Sequence, residues 1–325
     1  MTRQFALSAV IGLASLPAAA GFGNPGFSGE LSLMGAYTSS ESNFNTDNKT
    51  KTGDLDSGGE SDSSGLFLPL GQLRYTFGPG SAHQVFAGTS RADVVQGLVA
   101  LELGYKLSVA PNSSVAISWL PSVMDKETWA DPFVTGQERL TTDESGQAFR
   151  IQYTNILSTG LGVDIATYDK DIEDEFSGTT AYGAYSSQLD RNGDGFYGKL
   201  SARLKPDRVT TILPSIRLNQ FDAEGDALSN TRYGAGLTVI RIVQNQSFAL
   251  TADYASVSFD KENPVFGKTQ DNSELGFTFA YEYGDLFGIH TLAFNLLASY
   301  SDIDSNIDFY DEKSLFTGAG VSFKF

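Results

Sequence analysis

The chain has 325 residues with 39 acidic against 22 basic side chains, a formal net charge of −17, and this balance does not suit a nucleic-acid partner. It has no cysteine, which excludes a disulfide scaffold and a thiol nucleophile. No stretch approaches eighteen consecutive apolar residues, so the sequence offers no helical membrane span.

The N-terminus carries Arg3, an apolar run from Phe5 to Leu16, then Pro17-Ala18-Ala19-Ala20. A charged start, a short apolar run and small residues at its end are the pattern of a secretory signal peptide. Residues 1–20 are therefore expected to be cleaved, leaving 21–325 as a single domain. From there on, apolar and polar residues alternate with period two between turn residues. Fourteen strands are predicted, at about 27–39, 66–77, 83–90, 95–109, 114–122, 147–157, 161–170, 195–205, 209–221, 230–243, 247–259, 273–283, 289–301 and 312–325; twelve or sixteen are the alternatives. In 95–109, Val99, Leu101, Leu103, Tyr105, Leu107 and Val109 share one face, with Glu102, Gly104 and Lys106 on the other. In 273–283, Leu275, Phe277, Phe279, Tyr281 and Tyr283 repeat the pattern. The last strand alternates Ala319, Val321, Phe323 and Phe325 with Gly320, Ser322 and Lys324. A terminal strand ending on phenylalanine is an open edge unless the sheet closes on itself.

Connector lengths alternate. The short ones follow even-numbered strands, at 78–82, 110–113, 158–160, 206–208, 244–246 and 284–288. The connectors after odd-numbered strands are mostly long, notably 40–65, 123–146 and 171–194. That asymmetry predicts an all-β fold: an antiparallel up-and-down transmembrane β-barrel with short periplasmic turns and long extracellular loops. Aromatic residues near strand ends, such as Tyr37, Tyr75, Trp119 and Tyr254, fit interfacial girdles.

The charges divide along the same line. The seven outer connectors hold 29 of the acids and 8 of the bases. The outer rim is expected to be acidic, to concentrate cations and to share divalent ions with lipopolysaccharide. A charged side chain facing lipid is costly, about 2–4 kcal/mol for Arg or Lys at mid-depth. Glu30, Arg74, Glu102, Lys106, Arg150, Asp164, Lys199, Arg203, Arg217, Asp253 and Glu282 are therefore assigned to the inner face as pore-lining candidates. The 123–146 connector holds Trp129, Asp131 and Phe133, bulky and rigid enough to fold inward as a constriction or to pack over the rim as a lid.

Three motifs are weaker. Asp190, Asn192 and Asp194, followed by Gly195, match the opening of a calcium loop, but its twelfth position is Ser201 and an ordinary turn is the favoured reading. Gly21, Gly23 and Gly26 satisfy a dinucleotide-binding string without the strand and helix it requires. Two histidines, His83 and His290, fall at the periplasmic end, and neither G-x-S-x-G nor H-E-x-x-H occurs. No enzyme and no cofactor other than calcium is expected.

Gly26-Phe27-Ser28-Gly29-Glu30-Leu31, Leu68-Pro69-Leu70-Gly71 and Thr128-Trp129-Ala130-Asp131-Pro132 resemble a porin-like family of outer-membrane β-barrels of marine gammaproteobacteria. The resemblance spans the mature chain and implies the compartment and architecture without assigning a function. The sequence thus reads as an outer-membrane barrel, handed to the barrel-assembly machinery through its last strand, that passes small hydrophilic solutes with a modest cation preference. A plugged barrel serving surface binding or adhesion is one alternative. A lateral-opening transporter of a hydrophobic ligand, with ladder gaps at Pro69 and Pro121, is the other.

Overall fold

The computed structural model describes residues 21–89, 101–121 and 126–325; the predicted signal peptide at 1–20, residues 90–100 with the start of the predicted 95–109 strand, and residues 122–125 lie outside them. Fifteen strands form one sheet: β1 (Gly26–Glu41), β2 (Ser61–Phe77), β3 (His83–Thr89), β4 (Leu101–Ala110), β5 (Ser113–Pro121), β6 (Lys126–Trp129), β7 (Thr141–Thr154), β8 (Leu161–Ile172), β9 (Gly193–Ala202), β10 (Thr210–Ala223), β11 (Asn230–Val243), β12 (Gln246–Asn263), β13 (Lys268–Gly284), β14 (Leu292–Ser305) and β15 (Glu312–Lys324). Sequence neighbours pair antiparallel, except that β5 and β6 do not pair with each other and both pair with β7. β5 and β6 line up one after the other along β7, through Pro121↔Gln147 and Lys126↔Glu144, so together they fill one position in the wall. The wall therefore has fourteen positions and is closed.

Closure lies between β1 and β15, in register from Glu30↔Lys324 to Glu41↔Lys313. Beyond the ladder, Gly29 and Phe325 exchange two backbone hydrogen bonds of 2.8 and 3.0 Å. The last strand thus removes both sheet edges, which is why the chain can end on an aromatic residue without an aggregation-prone edge.

Alternation sorts the side chains. Phe27, Leu31, Leu33 and Tyr37 point outward from β1 and are exposed, while Ser32 and Met34 point inward and are buried. A continuous exposed apolar band is the lipid-facing surface of such a barrel. Several predicted boundaries shift. β2 begins at Ser61 rather than 66, β7 runs Thr141–Thr154 rather than 147–157, and β14 begins at Leu292 rather than 289. The extra residues of β2 and β7 are polar and extend those strands above the apolar band, where period-two hydrophobicity no longer marks them. Pro69 and Pro214 are accommodated in continuous ladders, opposite Leu33 and Leu237.

The inner wall combines two chemistries. Met34, Leu70, Leu297 and Phe316 pack together on the inside of β1, β2, β14 and β15. Charged and amide side chains line the arc from β4 to β13. Large inner residues face glycines directly across the ladder, as in Met34↔Gly320, Phe86↔Gly104 and Arg217↔Gly234. A Cβ on any of these glycines would run into the opposite side chain, so the glycines let those side chains lie against the wall.

Candidate functional site

Along the inner arc, carboxylates and guanidinium groups pair with near neighbours on the wall. Arg150 on β7 makes a two-pronged contact with Asp164 on β8, Nε to Oδ1 at 2.9 Å and Nη2 to Oδ2 at 2.6 Å. Its Nη1 lies 3.8 Å from Glu102 on β4, which also accepts a hydrogen bond from Ser118 at 2.7 Å. Arg217 reaches over the glycines of β11 to Asp253 at 2.8 Å. Arg232 pairs with Glu274, and Lys324 with Glu282, each at 2.6 Å. Planar Arg–carboxylate forks of this kind fix geometry as well as charge.

Three inner cations are not neutralised in this way. Arg74 donates from Nε and Nη2 to Gln72 Oε1 on its own strand. The Lys106 ammonium sits 5.2 Å from the centre of the Phe22 ring. Lys199 stands between Asp164 and Arg217 in the ladders. None of the three has a carboxylate within 4 Å among the described residues.

Of the predicted pore-lining residues, Glu30, Arg74, Glu102, Lys106, Arg150, Asp164, Lys199, Arg217, Asp253 and Glu282 fall on the inner side of wall strands. Arg203 does not: β9 ends at Ala202, and Arg203 lies exposed in the periplasmic turn with its amide bonded to Gly160 O at 2.7 Å. Sequence reasoning passed over Arg232, Glu274 and Lys324. The alternation of Arg232, Gly234 and Gly236 with Tyr233, Ala235 and Leu237 was the signal that could have placed the first of them. It also passed over the inner Met34 cluster, because apolar residues on both faces of a strand blur the period.

The outer loops form a second core. Phe133, Leu189, Ile307 and Phe309 are buried together, with Phe44, Tyr182, Phe266 and Tyr310 packed around them. These residues come from the β1–β2, β6–β7, β8–β9, β12–β13 and β14–β15 connectors, spaced around the barrel's circumference. The β8–β9 and β14–β15 connectors rise from nearly opposite sides, so their contact bridges the outer mouth.

Trp129 is the joint of this cap. It is fully buried, its Nε1 donates to Asn43 O at 3.0 Å, and the Arg139 guanidinium lies 4.2 Å above its ring. Arg139 also donates to Asn43 O and Asn48 O, and Arg191 to Trp129 O while pairing with Glu175 at 2.6 Å. Burial lowers the Arg139 pKa to about 10. Asp131 accepts amide hydrogens from Phe133, Gly178 and Thr180. Trp129, Asp131 and Phe133 are thus brought together among the loops.

The residues of the calcium-loop match diverge. Asp190 Oδ1 accepts the Asn192 amide, Asn192 Oδ1 accepts the Ile172 amide, and Asp194 faces outward beside Asp169 and Asp222. His83 binds the Tyr105 hydroxyl at 2.6 Å, and His290 lies in a periplasmic turn against Asp285 at 2.8 Å. Among the described residues no three His, Cys, Asp or Glu side chains gather as metal ligands.

The chain belongs to the DUF2860 family, whose description is protein of unknown function and whose model matches residues 26–324. Among curated proteins none matches. Solved structures resemble it at low identity. The TodX monoaromatic hydrocarbon channel (deltaS2 mutant) is similar at TM-score 0.50 and 13% identity, over 95% of this chain and 92% of that one. The CymD monoaromatic hydrocarbon channel gives 0.46 and 8%, over 93% and 89%. The outer-membrane channel DcaP of Acinetobacter baumannii gives 0.42 and 10%, over 94% and 100%. The fold shared with the first of these is a closed antiparallel β-barrel of fourteen wall positions.

Proposed function

We propose that this DUF2860 member is a narrow passive channel for small hydrophilic solutes, held shut at its outer mouth by the loop cap. The supporting observation is the state of the inner charges. Charges sealed in a dry barrel are very costly unless paired, yet among the described residues Arg74, Lys106 and Lys199 have no carboxylate within 4 Å. A hydrated lumen accounts for them. The ion pairs that do form run along the wall between nearby strands, which leaves the axis to water and solute. The acidic rim lies among lipopolysaccharide in this reading, with divalent cations shared between the two. The test is single-channel recording in planar bilayers with the purified mature chain. Brief low-conductance openings are expected, becoming long-lived when the cap is weakened at Trp129. Insertion without current in both proteins would refute the channel.

A second reading, a plugged barrel whose loops bind a surface ligand, is favoured by the cap itself, since five connectors share one buried core. Absence of current together with calcium or polysaccharide binding by the purified protein would support it.

A further inference from the structure

We infer that Arg74 and Lys106 form an oxyanion-binding subsite near the periplasmic mouth, and that this subsite makes the channel anion-selective despite its acidic rim. The inference rests on the channel reading above. Arg74 on β2 and Lys106 on β4 flank β3, and both point into the lumen. On the strand between them, Phe86 lies opposite Arg74 and Gln84 opposite Lys106, two residues apart along β3. Two like charges on one stretch of inner wall repel. Glu102, on the same strand as Lys106, is committed to Ser118 and Arg150.

The pair is also positioned by its surroundings. Gln72 takes the Nε and Nη2 donors of Arg74, and Nη1 is not part of that contact. Phe22, whose amide is anchored to Ser81 O at 2.9 Å, lies under the Lys106 ammonium. Gln84 and Phe86 on the intervening strand separate the two cations. A fixed guanidinium and ammonium with a gap between them suit a carboxylate or phosphate group. The rim acids stand in open solvent, where salt screens charge beyond about 8 Å. The subsite lies in the confined lumen, where a charge is felt more strongly. The inner cations therefore outweigh the rim.

The experiment is reversal-potential measurement across a planar bilayer under a KCl gradient, using the mature chain and its R74Q/K106Q and R74K variants. Wild type should favour chloride. The double neutralisation should lower the chloride-to-potassium permeability ratio about tenfold, the scale of removing an uncompensated charge from a partly screened site, and R74K should behave as wild type. Potassium phosphate and potassium acetate, added separately on the periplasmic side, should interrupt the current in wild type and not in R74Q/K106Q; whichever acts at the lower concentration identifies the oxyanion. Cation selectivity in wild type, a permeability ratio unchanged in the double variant, or loss of anion preference in R74K would overturn the inference. If no current is seen, calorimetric titration of the detergent-solubilised chain with phosphate and acetate decides. Binding lost in R74Q/K106Q supports the subsite while the channel reading fails, and no binding in wild type sinks the subsite.

Discussion

Replacing Trp129 by alanine should open the outer cap and leave the barrel standing. A buried indole removes about 200 Å² from water, worth about 5 kcal/mol at the usual coefficient. Its hydrogen bond to Asn43 O and its contact with Arg139 each add about 1 kcal/mol. Relaxation of the surrounding loops returns part of this, and measured Trp truncations fall at about 3–5 kcal/mol. The loss is expected to act locally, since the wall is held by its own closed ladder. About 4 kcal/mol multiplies the open fraction of the cap by about a thousand. Limited proteolysis of the protein in liposomes should then cut within 42–60 or 130–140, while the folded band on unheated gels stays in place. Loops as resistant as wild type would show that Trp129 is not the joint. Loss of the folded band would show that cap and barrel unfold as one unit.

Three further outcomes follow from the geometry. Arg217→Met leaves Asp253 buried without its partner and should destabilise the barrel by about 3–5 kcal/mol in urea unfolding, with most of the loss restored in R217M/D253L. Gly320→Val drives a side chain into Leu33 O and Met34 at the closing seam, so the variant should lose its folded band at a lower temperature than wild type. Burial, with repulsion from Asp304 and Asp308, raises the Asp311 carboxyl above its ordinary value. A raised folded pKa means its contribution is complete at pH below the unfolded value and fades as pH climbs through the folded one. Proteolysis of the 306–311 loop should therefore rise across and just above the ordinary carboxylate range, and Asp311→Asn should flatten that rise.

The barrel was legible in the sequence because its determinants are local. Period two along 273–283 or 247–259 is written in consecutive residues, and the alternation of short and long connectors needs only counting. The same locality explains the errors. Arg203 continues the alternation of Lys199 and Ser201 on paper, but the ladder stops at Ala202. The polar upper ends of β2 and β7 have no hydrophobic period and went unread.

What the sequence alone determined is which side chains face lipid and which face inward, because a strand's two faces are set by neighbours one residue apart. Which inner charges neutralise one another, and which are left over, was decided only by the closed sheet. Arg217 meets Asp253 thirty-six positions away, and Arg74 and Lys106 come to flank one strand of the inner wall. The loop cap is likewise tertiary, since Asn43, Trp129 and Phe309 come together only when a cylinder brings distant connectors over one mouth. Shear and closure set those distances, and neither is written in any single stretch of chain.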